Sequence, residues 1–123
     1  MSTPQRILVV EDEMIVALFI EDLVQELGHE VAGTVSRLDE AMARGQQGDF
    51  DLAILDVHLH GQDVFPFAEL LRDRGTPFIF ATGYGERGIP EHLRVAPTLQ
   101  KPFRPDELAD MIAKLTSKPV QKP

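Results

Sequence analysis

The chain has no cysteine, no tryptophan and a single tyrosine. Without cysteine there are no disulfides, no thiolate catalysis and no cysteine-held metal, which fits a reducing compartment. No apolar run approaches the roughly 20 residues of a membrane helix. The opening Met1-Ser2-Thr3-Pro4-Gln5-Arg6 lacks the charged, apolar and small-residue zones of a secretory signal. The expectation is a cytoplasmic protein without membrane attachment. Positive charge is scarce, with twelve Lys and Arg against twenty Asp and Glu and a net charge of −8. A surface of that sign repels a phosphate backbone, so partners should be proteins or cations rather than nucleic acid. Internal repeats and low-complexity tracts are missing as well. At 123 residues, 43% hydrophobic, the chain suits one globular core and is too short for two.

Apolar runs of strand length alternate with segments of helical period. Residues 6–10 read as a strand, 14–27 as a helix ended by Gly28, and 30–35 as a second strand. Ser36 opens a weaker helix with a capping-like Ser36-x-x-Asp39 start, closed by Gly45 and Gly48. Residues 50–55 form a continuous apolar strand, 63–74 a helix interrupted near its start by Pro66, and 76–81 another buried strand. A fifth strand is expected over 95–100 and a last helix from Pro105 to about Thr116. The βα alternation predicts an α/β fold, a doubly wound five-stranded parallel sheet with helices on both faces. Residues 5–117 would form the domain, and 118–123 a short tail or the start of a linker.

Ligands in such sheets bind beyond the carboxyl ends of the strands, so the residues that end strands are the informative ones. Strand one ends in Glu11-Asp12, strand three in Asp56, strand four in Thr82 and strand five in Lys101-Pro102. In the flavodoxin-like order 2-1-3-4-5, strands one and three are neighbours and three carboxylates converge. Like charges so placed repel unless a divalent ion or an ammonium neutralises them. Oxygen ligands without histidine at the strand ends favour Mg²⁺ over Zn²⁺. Asp12 and Glu13 equally suit the start of the helix at Met14, and Asp56 suits a turn.

Taken together, Ile7-Leu8-Val9-Val10-Glu11-Asp12-Glu13, Leu52-Ala53-Ile54-Leu55-Asp56-Val57, Phe80-Ala81-Thr82-Gly83 and Lys101-Pro102-Phe103 resemble the response-regulator receivers of two-component signalling. That resemblance implies a phosphoacceptor at Asp56. It implies Mg²⁺ held by Glu11, Asp12, Asp56 and the main-chain carbonyl of His58. Thr82 would bond one phosphoryl oxygen through its hydroxyl, and Lys101 would pair with another. A carboxylate is a workable nucleophile toward phosphorus, with metal and lysine offsetting the gathering charge. The donor would be a histidine kinase or a histidine phosphotransfer protein. The chain would be a signalling phosphoacceptor rather than an enzyme, a single-domain response regulator, monomeric or weakly dimeric. The alternative is a phosphorylation-independent binding module on the same fold. An aspartyl phosphatase generally wants a second acid two residues after its nucleophile, where His58 stands.

Met14 to Ile20 are apolar for seven residues in succession, while a sheet-covering helix needs only about three per heptad. Some of that surface must face away from the sheet. By analogy with the resembled family, Ile15, Val16 and Phe19, with Pro102 and Phe103, would contact the donor. Receivers usually carry a switch aromatic three residues before the lysine, and here that residue is Thr98. The Phe-Ala-Thr-Gly-Tyr stretch ending in Tyr84 resembles a receiver subgroup, and in it Tyr84 would share the switch with Thr82. Gly88-Ile89-Pro90 opposes a long fourth helix, so a short or atypical one is expected.

Overall fold

The computed structural model describes residues 4–83 and 85–116, apart from the side chains of residues 85 and 86. Five strands, Arg6–Val10 (β1), Glu30–Val35 (β2), Leu52–Asp56 (β3), Phe78–Thr82 (β6) and Thr98–Gln100 (β7), form one sheet in the order β2-β1-β3-β6-β7. Every pair is parallel. His58–Leu59 (β4) and Gln62–Asp63 (β5) make a small antiparallel hairpin after β3. With the hairpin left out of the count, the order is the expected 2-1-3-4-5.

Period-two alternation sorts the apolar residues onto two faces. Leu8, Val10, Ala53, Leu55 and Phe80 pack with Ala41 of helix α2 (Leu38–Gln47) and with Phe67, Ala68 and Leu71 of α3 (Phe65–Arg74). Ile7, Val9, Ile54, Ile79 and Leu99 pack with Ile20 and Val24 of α1 (Met14–Glu26) and with Leu108 and Ile112 of α4 (Pro105–Thr116). Coverage on both faces explains why the central strands are continuous apolar runs.

Several boundaries differ from expectation. β3 begins at Leu52, because Asp51 turns its carboxylate onto the Arg6 N–H at 2.9 Å and ends the incoming turn there. Pro66 does not interrupt α3; it lies in the first turn, where a missing N–H costs nothing. Residues 63 and 64 belong instead to the hairpin and the N-cap. Ser36 does not cap α2; Arg37 holds that position, and the Ser36 N–H donates to Glu40 Oε1 at 3.2 Å. Gly45 does not close α2 either. It lies inside the helix where a Cβ would come within 2.7 Å of Leu70 and 2.8 Å of Phe67, so its role is the close approach of α2 to α3. Gly48, at φ 68°, ends the helix as expected. The fifth strand is shorter than predicted, since pairing starts at the Pro97 carbonyl and Val95 is exposed.

Between β6 and β7 the described residues contain two short 3₁₀ turns, Gly85–Gly88 and Glu91–Leu93, and no α-helix. Ile89 and Leu93 from this segment are buried in the core. Two short 3₁₀ turns thus stand where a short or atypical fourth helix was expected from Gly88-Ile89-Pro90. No helix among the described residues is long and apolar enough to cross a membrane.

Candidate functional site

Parallel pairing brings the carboxyl ends of β1, β3, β6 and the residue after β7 to one edge. Val10 pairs with Leu55, so Glu11 and Asp56 leave neighbouring strands side by side. Carboxylate oxygens of Glu11, Asp12 and Asp56 lie within 4.8 Å of one another. Lys101 reaches into the group, with Nζ 2.9 Å from Glu11 Oε1 and 3.5 Å from Asp56 Oδ1. Its backbone N–H donates to the Thr82 carbonyl at 2.8 Å, which sets Lys101 beside the end of β6. The Lys101–Pro102 peptide is cis. Thr82 is buried.

Glu11 is only 2% exposed. Its N–H donates to the Val35 carbonyl at 3.0 Å, and its Oε2 accepts the Glu13 N–H at 3.2 Å. Glu13 sits at the N-cap of α1, yet its side chain makes no capping bond. Asp12 Oδ2 accepts the His60 N–H at 3.0 Å. That amide comes from the two-residue turn of the hairpin, where His60 has φ 50° and Gly61 φ 81°, the left-handed pair that a type I′ turn requires.

The charges are uneven. Burial and the neighbouring Glu11 carboxylate push Asp56 up to about 7, against the pull of Lys101. Burial alone would raise Asp12 too, but the His60 N–H and its other hydrogen bonds outweigh it and hold this carboxyl below its usual value. Burial works against the Lys101 ammonium, while its bond to Glu11 and the charge of Asp56 more than restore it. Three carboxylates thus face one ammonium, and the elevated Asp56 registers the uncompensated charge. An all-oxygen set of this kind fits a hard divalent ion, so the residues present suit Mg²⁺. His58 Nδ1 is 2.9 Å from Asp63 Oδ1 on an exposed part of the hairpin, so the imidazole is directed away from the carboxylate group. A ligand from His58 would therefore have to be its main-chain carbonyl.

The structure brings Glu11, Asp12, Asp56 and Lys101 into direct contact and sets Thr82 at the same edge. It also gathers Val16, Phe19, Lys101, Pro102 and Phe103 around a groove of about 380 Å³. Ile15 and Phe19 are exposed on α1, but Phe103 is 7% exposed, its ring 5.9 Å from Phe19. Phe103 therefore backs Phe19 and offers little surface of its own. Thr98 has a buried hydroxyl with no hydrogen-bond partner among the described residues. Tyr84 lies outside the described residues. The His60 amide was not foreseen; the His60-Gly61 dipeptide between two short runs was its only sequence signal.

A doubly wound sheet with three carboxylates and a lysine at its carboxyl edge defines the receivers of two-component signalling. Residues 7–113 match the response regulator receiver domain, and the chain belongs to that family. Among solved structures it is similar to SdrG from Sphingomonas melonis Fr1, with 42% identity, a TM-score of 0.83, and coverage of 94% of this chain and 98% of that one. A second SdrG structure, of a BeF3-activated conformation, matches with a TM-score of 0.77 at 42% identity over 91% of this chain and 96% of that one. The transcriptional regulatory protein PdtaR of Mycobacterium tuberculosis is 27% identical over 112 residues, 90% of this chain and 55% of the relative. The phyllosphere-induced regulator PhyR of Methylorubrum extorquens is 33% identical over 113 residues, 87% of this chain and 42% of the relative. The chain spans about half the length of these curated relatives.

Proposed function

We propose that the chain accepts a phosphoryl group on Asp56 from the phosphohistidine of a histidine kinase or phosphotransfer protein. The observation that carries this reading is Asp56 at the end of β3, with Glu11 and Asp12 beside it and Lys101 Nζ 3.5 Å from its Oδ1. A carboxylate oxygen of Asp56 forms the new O–P bond while the P–N bond to the donor imidazole breaks and its electron pair stays on nitrogen. Lys101 keeps its bond to Glu11 and shifts its second contact from Asp56 to a phosphoryl oxygen. The Thr82 hydroxyl donates to another. Glu11, Asp12, Asp56 and the His58 carbonyl would hold Mg²⁺, whose charge when bound offsets that of the phosphoryl oxygens. Ile15, Val16, Phe19 and Pro102 form the face that receives the donor. Thr82, with Tyr84, relays the change, and the chain turns over no substrate of its own.

The SdrG structure in a BeF3-activated conformation supports this reading, since that protein shares 42% identity with the chain. The test is ³¹P NMR after incubation with acetyl phosphate. An acyl-phosphate signal should appear only with Mg²⁺ and vanish on adding hydroxylamine. A signal that forms equally in EDTA, or survives hydroxylamine, contradicts it.

A further inference from the structure

Exposed apolar surface is concentrated on one helix. Of the five large apolar side chains exposed among the described residues, Met14, Ile15, Leu18 and Phe19 are all on α1, and Val95 is the fifth. α1 also carries Glu21, Asp22 and Glu26 and has no Lys or Arg. Its two flanks differ. Toward Phe103 the groove is apolar, and its one cation, Lys101, is engaged by Glu11 and Asp56. On the opposite flank a cavity of about 600 Å³ opens between α1 and the β2–α2 junction. Met14, Ala17 and Leu18 form its apolar wall, Glu21 and Glu40 line it as well, and Asp12 belongs both to this lining and to the carboxylate site. Met14 is 76% and Leu18 52% exposed, so this wall is open to solvent.

The carboxylates in this cavity are held in place. Glu21 Oε2 accepts the Thr34 hydroxyl at 2.5 Å, and Glu40 Oε1 accepts the Ser36 N–H at 3.2 Å. Neither has an ion-pair partner among the described residues. A cavity lined by an apolar wall and two hydrogen-bonded carboxylates is complementary to a side chain with an apolar stem and a cationic head, which is the chemistry of arginine and lysine.

We infer that this second groove receives a basic side chain, carried on an apolar helix face of the phosphodonor protein as that helix lies along α1. The inference rests on the phosphoacceptor reading and specifies its partner: an apolar strip over Ile15, Leu18 and Phe19, bordered on one side by Arg or Lys facing Glu21 and Glu40. A neutral partner would leave both carboxylates uncompensated, and an acidic one would be repelled, so the groove contributes selection as well as attachment.

The test titrates the full ¹⁵N-labelled chain, in Mg²⁺, with three synthetic helical peptides. All carry the same leucine strip and differ in having Arg, Gln or Glu beside it. The Arg peptide should move the amides of Leu18, Glu21 and Ser36, bind at least several-fold tighter than the Gln peptide, and weaken as salt rises. Glu21→Lys with Glu40→Lys should cut its affinity about tenfold or more. Equal binding of the Arg and Gln peptides, shifts confined to Val16, Phe19 and Phe103, undiminished binding by the double variant, or no binding at all overturns the inference. So does competition by Mg²⁺ that displaces the peptide, which would put the cation on the metal ligands, or light scattering that shows a second copy of the chain on this face. Labelling of the unaltered chain by acetyl phosphate, a donor with no protein surface, runs alongside. Its failure removes the phosphoacceptor reading, while the titration still decides whether the groove takes a basic segment.

Discussion

At the residue scale, Asp56 is strained electrostatically in the absence of a cation. Unfolded, its carboxyl titrates near 3.8; folded, it titrates at about 7. The folded state therefore holds this proton more tightly, and the stabilisation it brings is full below about pH 4 and lost as pH rises through 7. In EDTA, thermal melts of the unaltered chain should fall from pH 5 to pH 8, and Asp56→Asn should flatten that slope and melt higher at pH 8. A steeper slope in the variant would mean that other groups dominate. His60 acts through its amide. His60→Gly retains the N–H and tolerates φ 50°, whereas His60→Pro removes the N–H and demands a φ near −65°. The proline variant should bind Mg²⁺ roughly tenfold more weakly, the scale of losses outside the ligand shell, and the glycine variant should resemble the parent. Equal losses in both would assign the effect to the imidazole. The carboxylates and Lys101 were legible in the sequence because charged groups that end apolar strands are conspicuous. The His60 amide was not, because a backbone N–H leaves no mark on residue type.

At the scale of elements, periodicity located every long helix and strand, and the misreadings at Gly45 and Pro66 share one cause. Both residues were read as terminators, although glycine and proline each have more than one use. Gly45 is needed for space, since α2 and α3 cross too closely for a side chain there, and nothing within α2 itself announces that neighbour. Gly45→Val should accordingly cost about 2 kcal/mol through overpacking against Phe67, read as a lower denaturant midpoint with an unchanged slope. An unaltered midpoint would show that α3 yields easily. Pro66 opens α3 rather than breaking it, a distinction that depends on where the preceding hairpin ends. The short segment between β6 and β7 was readable because Gly88 and Pro90 leave no room for a long helix. That segment is secured by Ile89 and Leu93 in the core and by the His92 Nε2 contact to Glu69 at 2.9 Å.

At the scale of the whole molecule, the fold gathers charged groups of both signs that the chain spreads over 90 positions, from Glu11 to Lys101. Strand order does this: only when β1 lies beside β3 do Glu11 and Asp56 meet, and that adjacency came from the flavodoxin-like order of doubly wound sheets rather than from composition. A cation that binds the folded site and not the unfolded chain must stabilise the fold. At ten times its dissociation constant Mg²⁺ should add about 1.4 kcal/mol, a rise on the order of 4 °C in the melting temperature. Glu11→Ala with Asp12→Ala should abolish that rise, and a rise that persists would place the ion elsewhere. The phosphoacceptor assignment is tested most directly by intact-mass analysis after incubation with acetyl phosphate and Mg²⁺, comparing the unaltered chain with Asp56→Asn. The account predicts one added phosphoryl group on the former and none on the latter; undiminished labelling of Asp56→Asn would contradict it.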